Sequence, residues 1–182
     1  MTVLGLSEIA MMTADDVLRV LDLLEGAGIH VWLDGGWGID ALLEEQTRLH
    51  NDLDIALNCE DLPGFMQVME QAGFRPVEGG EPKNFVVADG QGRQVDVHLV
   101  DANIARLDDR GTEAYGPNGL AYPIGSLDRY GVVLGRKVRC VTAEFQVESH
   151  TWYEPSEKDF QDVLALCNRF ELPLPPAFNS RA

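Results

Sequence analysis

Two aspartates separated by a single residue, Asp52 and Asp54, have the type and spacing of metal ligands. The stretch from 52 to 57 alternates polar and apolar residues, which predicts a half-buried strand. On such a strand the two aspartates share one face, with their side chains starting roughly 6–7 Å apart. Their carboxylates can therefore converge on one divalent cation, and Mg²⁺ prefers hard oxygen ligands of this kind. Taken alone, the pair is also compatible with a solvated sheet face.

A third acid, Asp96, stands in the middle of a later stretch with the same alternation. Residues 89–92, Asp-Gly-Gln-Gly, are typical of a hairpin turn, so we expect a strand to follow over residues 93–100. An acid within an otherwise apolar strand is costly to bury unless it is paired or metal-bound. With the first two acids it predicts a two-metal site. His98 shares the face of Asp96 and could contact a metal or a substrate.

A glycine pair, Gly35 and Gly36, lies between a predicted strand at 30–33 and a predicted helix at 37–43. Glycines there let backbone amides approach a phosphate, and a helix N-terminus favours negative charge. An ordinary tight turn is the alternative. Residues 36–41 also fit the G-x-G-x-x-G/A dinucleotide fingerprint. That fingerprint requires one acid at the end of the next strand, whereas this chain has two at its beginning, so it is disfavoured. No P-loop sequence occurs in the chain.

The composition is that of an acidic globular protein. The chain has 182 residues, of which 45% are hydrophobic, and a net charge of −16 from 30 acidic residues against 14 lysines and arginines. This balance argues against a nucleic-acid partner and would favour the approach of a cationic small molecule, although solubility is a simpler explanation. No apolar run reaches the roughly 18 residues of a membrane span. The sequence contains no signal-peptide pattern and only three scattered cysteines, so we expect a cytoplasmic protein.

The predicted elements alternate between helices and strands and end in helices, which indicates an α+β fold. We expect helices over residues 14–27, 37–43, 62–72, 142–149 and 157–170. A second hairpin is predicted around Gly135-Arg136, and a long polar loop over residues 101–121. The chain is expected to form a sheet domain over residues 1–125 and a C-terminal hairpin with helices over residues 126–182, or one continuous domain.

Several motifs together resemble a known enzyme family. The run from Trp32 to Asp40, followed by the R-x-H-x-D-x-D pattern from Arg48 to Asp54, resembles the small antibiotic nucleotidyltransferases. The lincosamide nucleotidyltransferases look most similar, with the aminoglycoside 2''-adenylyltransferases nearby. Asp96 matches the third acid of the superfamily pattern, and the segment around Lys158 resembles the C-terminal part of the lincosamide enzymes. The resemblance spans about residues 15 to 170.

The resemblance implies a nucleotidyltransferase-like mixed β-sheet flanked by helices, with a small C-terminal helical part. It implies Mg²⁺-dependent transfer of a nucleoside monophosphate, AMP from ATP, to a hydroxyl of a small molecule such as a lincosamide or aminoglycoside, with release of pyrophosphate. Asp52 and Asp54 would hold two Mg²⁺ ions, and Asp96 would ligate one of them and act as general base. The glycine pair, Arg48 and Lys158 would contact the phosphates.

Other interpretations stay open at this point. A non-catalytic nucleotide- or partner-binding module could keep the same fold, although the three acids argue against it. A toxin-like enzyme that modifies RNA could use the same chemistry, although the net charge argues against that. Arg48 and Lys158 could instead form surface ion pairs, and His50 is more typical of a structural histidine. The region 75–125, where relatives shape the acceptor pocket, is poorly matched, and a homodimer remains open.

Overall fold

A computed structural model describes residues 10–77 and 83–181, which form a mixed β-sheet flanked by helices. The helices are α1 (Ala14–Gly26), α2 (Gly35–Leu43), α3 (Leu62–Gln71), α4 (Ala143–Ser149) and α5 (Glu157–Phe170). The strands are β1 (Val31–Leu33), β2 (Asp52–Asn58), β3 (Arg75–Pro76), β4 (Asn84–Ala88), β5 (Gln94–Val100), β6 (Ala105–Leu107), β7 (Glu113–Tyr115), β8 (Arg129–Val133) and β9 (Arg136–Cys140). Short 3₁₀ helices cover Cys59–Asp61 and Pro176–Arg181. The predicted α+β class is confirmed.

The central sheet has seven strands in the order β3-β4-β5-β2-β1-β9-β8. The pairs β2–β5 and β1–β9 are parallel, and the remaining neighbours are antiparallel. In the parallel pair, Asp54 lies directly opposite Asp96, and Asp52 lies opposite Gln94. This register brings two of the predicted acids side by side in the middle of the sheet.

The opposite faces of β2 and β5 form the main hydrophobic core. Four side chains that alternate with the acids are fully buried there: Leu53, Ile55, Val95 and Val97. The period-2 pattern seen in the sequence is therefore the pattern of burial. A smaller cluster, which includes Tyr122 and Phe145, packs against Ala56 and Val100 near the ends of the two strands. The strands that carry the acids are thus packed against the main core on one face and against this smaller cluster near their ends.

The helix after β1 begins two residues earlier than predicted. It starts at Gly35 rather than Trp37, because the Asp34 side chain accepts a hydrogen bond from the Gly35 N–H at 2.8 Å and caps the helix. The glycine pair is therefore the first turn of α2. In the C-terminal part, α5 has the predicted bounds, and its start is fixed by a capping box formed by Ser156 and Asp159.

The segment 101–121, predicted as an unbroken loop, contains a short ribbon formed by β6 and β7. Each strand has only three residues, which is too short for an alternating pattern to be recognised in the sequence. The hairpin β8–β9 turns through Leu134 and Gly135, both with positive φ, one residue before the predicted turn. In the described parts of the chain, no helix is both long and apolar enough to cross a membrane.

Close packing of β8 against α2 leaves no room for a side chain at Gly131. A Cβ atom placed there would lie 2.4 Å from the Ala41 carbonyl oxygen. We expect Gly131→Ala to lower the free energy of unfolding by about 1–3 kcal/mol, because the backbone of β8 or α2 must shift. Gly90→Ala is the matched control, since a Cβ at Gly90 meets nothing within 4 Å. Urea unfolding measures both variants, and equal losses of stability would contradict the close approach.

Candidate active site

A cavity of about 1020 Å³ lies over the face of the sheet that carries the acids. Six of the seven residues predicted for the site line it: Gly35, Gly36, Arg48, Asp52, Asp54 and Lys158. The seventh, Asp96, lies beside Asp54 across the β2–β5 pair. Elements distant in the sequence, from α2 to α5, therefore meet around one concave space.

The carboxylates of Asp54 and Asp96 form a compact group with His98. His98 Nε2 lies 3.7 Å from Asp54 Oδ1 and 3.9 Å from Asp96 Oδ1. One ligand atom from each of the three residues lies within 4.8 Å of the others. Asp52, two residues earlier on β2, lines the cavity outside this group. The sequence predicted three acids together, and the structure brings together two acids and a histidine with the third acid nearby.

The charges of this group are only partly compensated, since several acids surround one histidine. Burial, with the charges of Asp54 and Asp52, raises the pKa of Asp96 to about 6, although His98 opposes the shift. Burial disfavours the charged form of His98, but contact with Asp54 and the charges of Asp34 and Asp96 outweigh it and raise its pKa to about 9. The cavity walls around Asp52 and the charge of Asp54 raise the pKa of Asp52.

The donor set fits a divalent metal. Asp96 Oδ1 is buried and has no hydrogen-bond partner among the described residues, which is costly unless an ion or a proton occupies it. Asp52, Asp54 and Asp96 offer hard carboxylate oxygens of the kind that Mg²⁺ prefers. His98 is a less typical Mg²⁺ ligand, so it is better placed as a neighbour of the acids.

The N-terminus of α2 reaches the acids through Gly35. This residue has φ of +51°, and a Cβ there would lie 2.2 Å from Asp54 Oδ2, so only glycine fits. Asp34, the residue before it, is buried and accepts a second hydrogen bond from the Tyr122 hydroxyl at 2.7 Å. Neither Asp34 nor Tyr122 was predicted from the sequence as a residue of the site. An aspartate before a glycine pair is a helix-cap signal, whereas the tyrosine partner had none.

Arg48 and His50 pack directly over Gly36. A Cβ at Gly36 would lie 2.3 Å from His50 Nδ1 and 2.7 Å from Arg48 Nη2. Arg48 also forms an ion pair with Asp162 of α5, with Nη2 and Oδ2 2.7 Å apart. It therefore both lines the cavity and makes the ion pair that was its alternative role. His50 is buried, with its Nε2 hydrogen-bonded to Asp40, as expected for a structural histidine.

One side of the cavity has an aromatic wall. Tyr122, Phe145 and Trp152 contact one another in sequence, with ring centroids 4.9 and 5.6 Å apart. Arg110, in the turn between β6 and β7, stacks on Trp152 and pairs with Glu148 of α4 at 2.7 Å. The ribbon is thus tied across the cavity to α4. This contact was not predicted, because residues 101–121 have no hydrophobic periodicity that would indicate a regular element.

Comparison with known proteins identifies the family. Residues 16–166 match the aminoglycoside-2''-adenylyltransferase family. The chain belongs to this family. It is a nucleotidyltransferase, and the family implies a nucleoside triphosphate as co-substrate and a divalent metal, which agrees with the donor set.

Individual relatives of this nucleotidyltransferase act on antibiotics. A lincosamide resistance protein of Staphylococcus haemolyticus is 28% identical over 154 residues, covering 84% of this chain and 92% of the relative. The crystal structure of the lincosamide antibiotic adenylyltransferase LnuA with lincomycin has a TM-score of 0.70 and 27% identity, covering 86% of this chain and 98% of LnuA. That of ANT(2'')-Ia in complex with adenylyl-2''-tobramycin has a TM-score of 0.71 and 25% identity, covering 92% and 97%.

The charge of His98 tests the electrostatics of the nucleotidyltransferase site. In metal-free protein we expect NMR titration of the His98 ring to give a pKa of about 9, because the neighbouring acids stabilise the imidazolium. Asp54→Asn is expected to lower this pKa, since it removes the nearer negative charge. Asp89→Asn, in the β4–β5 turn, is the control and is expected to leave the titration unchanged. A His98 pKa at or below its ordinary value of about 6.5 would rule out the described site.

Proposed function

We propose that this nucleotidyltransferase transfers AMP from ATP to a hydroxyl of a small antibiotic, a lincosamide or an aminoglycoside, and releases pyrophosphate. The observation that carries the proposal is the pairing of Asp96 with Asp54, which lines the cavity beside the N-terminus of α2. The ANT(2'')-Ia complex supports the adenylyl group, since its ligand is an adenylylated tobramycin. The cytoplasm is the compartment that would supply ATP.

The triphosphate binds where α2 begins. The first turn of a helix presents backbone N–H groups without intrahelical acceptors, and its dipole favours an anion. Gly35 and Gly36 form this turn and line the cavity. Lys158, in the first turn of α5, lines the same space and supplies a cation to the phosphates. Arg48 adds a hydrogen-bond donor beside Gly36.

Asp52, Asp54 and Asp96 hold two Mg²⁺ ions in this proposal. When bound, Mg²⁺ neutralises the triphosphate and lowers the pKa of the acceptor hydroxyl. The support within the chain is the raised pKa of Asp52 and Asp96, to which burial and the charge of Asp54 contribute, and the buried Asp96 Oδ1 that has no hydrogen-bond partner among the described residues. His98 lies beside the Asp54 and Asp96 carboxylates and contributes its charge to the same group.

Asp96 is the proposed general base. It takes the proton of the acceptor hydroxyl as the oxygen forms a bond to the α-phosphorus of ATP and the bond to pyrophosphate breaks. In the metal-free protein burial raises the pKa of Asp96 to about 6, which leaves the carboxyl mostly ionised and able to accept a proton at neutral pH. Its position in the middle of β5, fixed by pairing on both sides, keeps the accepting oxygen in place.

In this proposal the acceptor binds along the aromatic wall of the cavity. The aromatic wall offers apolar contact to a sugar or a hydrocarbon ring, and Asp108, Asp109 and Asp159 add negative charge to the lining. Such a lining suits an acceptor that carries amino groups. The alternative, a non-catalytic binding module, is disfavoured because all three acids are present and grouped around the cavity.

Single substitutions of the acids test the reaction. With lincomycin and tobramycin as acceptors, we expect Asp54→Asn and Asp96→Asn to reduce the rate of pyrophosphate release by about 10²–10⁴-fold, since each removes a metal ligand or the base. Asp89→Asn, remote from the cavity, is the control and is expected to retain the wild-type rate. If Asp96→Asn keeps full turnover, the proposed base is wrong.

Titration calorimetry with ATP and Mg²⁺ tests the donor separately from the acceptor. We expect binding that depends on Mg²⁺ and is weaker for Asp54→Asn, because that carboxylate no longer attracts the cation. The same titration with GTP, CTP and UTP measures the nucleotide preference. Tighter binding of one of these than of ATP would reject ATP as the donor, while leaving the nucleotidyltransferase assignment intact.

A further inference from the structure

Arg48 is the centre of a buried polar network that joins α2, the segment before β2, and α5. We infer that Asp162 is a positioning residue, which holds the Arg48 guanidinium at the N-terminus of α2 so that one N–H remains for a phosphate oxygen. On the opposite side of Arg48, His50 and Asp40 complete this group of residues, which we call the holder. The inference rests on the proposed function, because it requires a triphosphate at this place.

Most N–H groups of the Arg48 guanidinium already have an acceptor within the protein. Arginine has five N–H groups and no acceptor. The Nε–H points to the two Asp162 oxygens at 3.2 and 3.1 Å, and Nη2 donates one hydrogen to Asp162 Oδ2 at 2.7 Å. Nη1 donates to the Leu49 carbonyl at 3.3 Å and to His50 Nδ1 at 2.9 Å. One hydrogen on Nη2 remains, so Arg48 cannot grip a phosphate with two parallel hydrogen bonds.

The partners of Arg48 are themselves fixed. Because arginine only donates, His50 Nδ1 accepts, so the ring proton is assigned to Nε2, which donates to Asp40 Oδ2 at 2.5 Å. Asp40 Oδ1 accepts from the Thr47 N–H at 3.1 Å and from its hydroxyl at 2.6 Å. His50, Asp40 and Asp162 are all buried. Every polar side chain of the holder therefore has a partner, as expected of a rigid network.

The free N–H lies where an anion is expected. Nη2 is the nitrogen that would be 2.7 Å from a Cβ at Gly36, so it lies over the first turn of α2. The Gly36 N–H belongs to that turn and has no intrahelical acceptor. Both residues line the cavity. A phosphate oxygen there receives one hydrogen bond from the backbone and one from Arg48.

Two explanations of the ion pair predict opposite effects when Asp162 loses its charge. If Asp162 only cancels the charge of Arg48, its removal exposes a cation and tightens the binding of ATP. If Asp162 positions Arg48, its removal lets a flexible side chain leave the phosphate site, and binding weakens. The side chains of Asp162 and Arg48 are 4% and 28% exposed, so neither solvent nor salt dominates the pair.

The experiment measures KM for ATP and kcat in Asp162→Asn, Arg48→Met and the double variant, with Mg²⁺ and the better acceptor. We expect Asp162→Asn to raise KM for ATP by about tenfold, the effect of one charge-assisted hydrogen bond, with a smaller change in kcat. Asp162→Glu keeps the carboxylate and is expected to rescue part of the loss. In the Arg48→Met background, Asp162→Asn is expected to add less than about twofold, because Asp162 acts only through Arg48.

The matched control is Asp89→Asn. Asp89 pairs with Arg93 outside the cavity, and the side chains are 6% and 22% exposed, much like Asp162 and Arg48. It is expected to lower thermal stability without changing KM. If Asp162→Asn does not fold, Asp162→Ser replaces it under the same criteria.

An unchanged or lowered KM in Asp162→Asn overturns the positioning role, and so does an equal effect of Asp162→Asn with and without Arg48. Both outcomes require a wild-type enzyme that binds ATP and releases pyrophosphate. A wild-type protein that does neither rejects the proposed function instead, so the two failures are distinguishable.

Discussion

The parallel pairing of β2 with β5 is the constraint on which the site depends. Its register places Asp54 opposite Asp96, so two negative charges repel each other. Like charges at directly paired positions destabilise a sheet. The pairing persists because the opposite faces of the same strands bury Leu53, Ile55 and their neighbours without exposure to solvent. Hydrophobic burial on one face thus holds an unfavourable charge arrangement on the other. A shift by one residue would exchange the faces and destroy both.

The N-terminus of α2 approaches the acids of the sheet closely. Because Gly35 has no side chain, α2 can begin in contact with Asp54. Asp34 caps this helix and also accepts a hydrogen bond from the Tyr122 hydroxyl. The tyrosine in turn packs against Phe145 of α4. The first turn of α2 is therefore held between the acid pair and the aromatic wall, which aligns its free N–H groups with the metal ligands before any substrate arrives.

The sequence predicted the parts of the site that depend on local periodicity. Alternation identified the faces of Asp54 and Asp96, and the glycine pair marked a turn that lines the cavity. The ion pair of Arg48 with Asp162 spans 114 positions, and no local pattern specifies which acid an arginine meets. The contact of Arg110 with α4 was missed for a related reason, because its ribbon is held by tertiary contacts and lacks strand propensity.

The distribution of charge explains why the cavity is complete only with cations. In a chain with 30 acids and 14 basic side chains, Arg48 and Arg110 at the cavity are already engaged by Asp162 and Glu148. Their positive charge is therefore largely cancelled within the protein. The group around Asp54 keeps a negative excess, which raises the pKa of His98 and adds to burial, the main cause, in raising the pKa of Asp96. Such an excess is unfavourable for the protein by itself and favours the divalent metal that the family implies. The register of the sheet thus maintains a repulsion between acids that a bound cation would relieve.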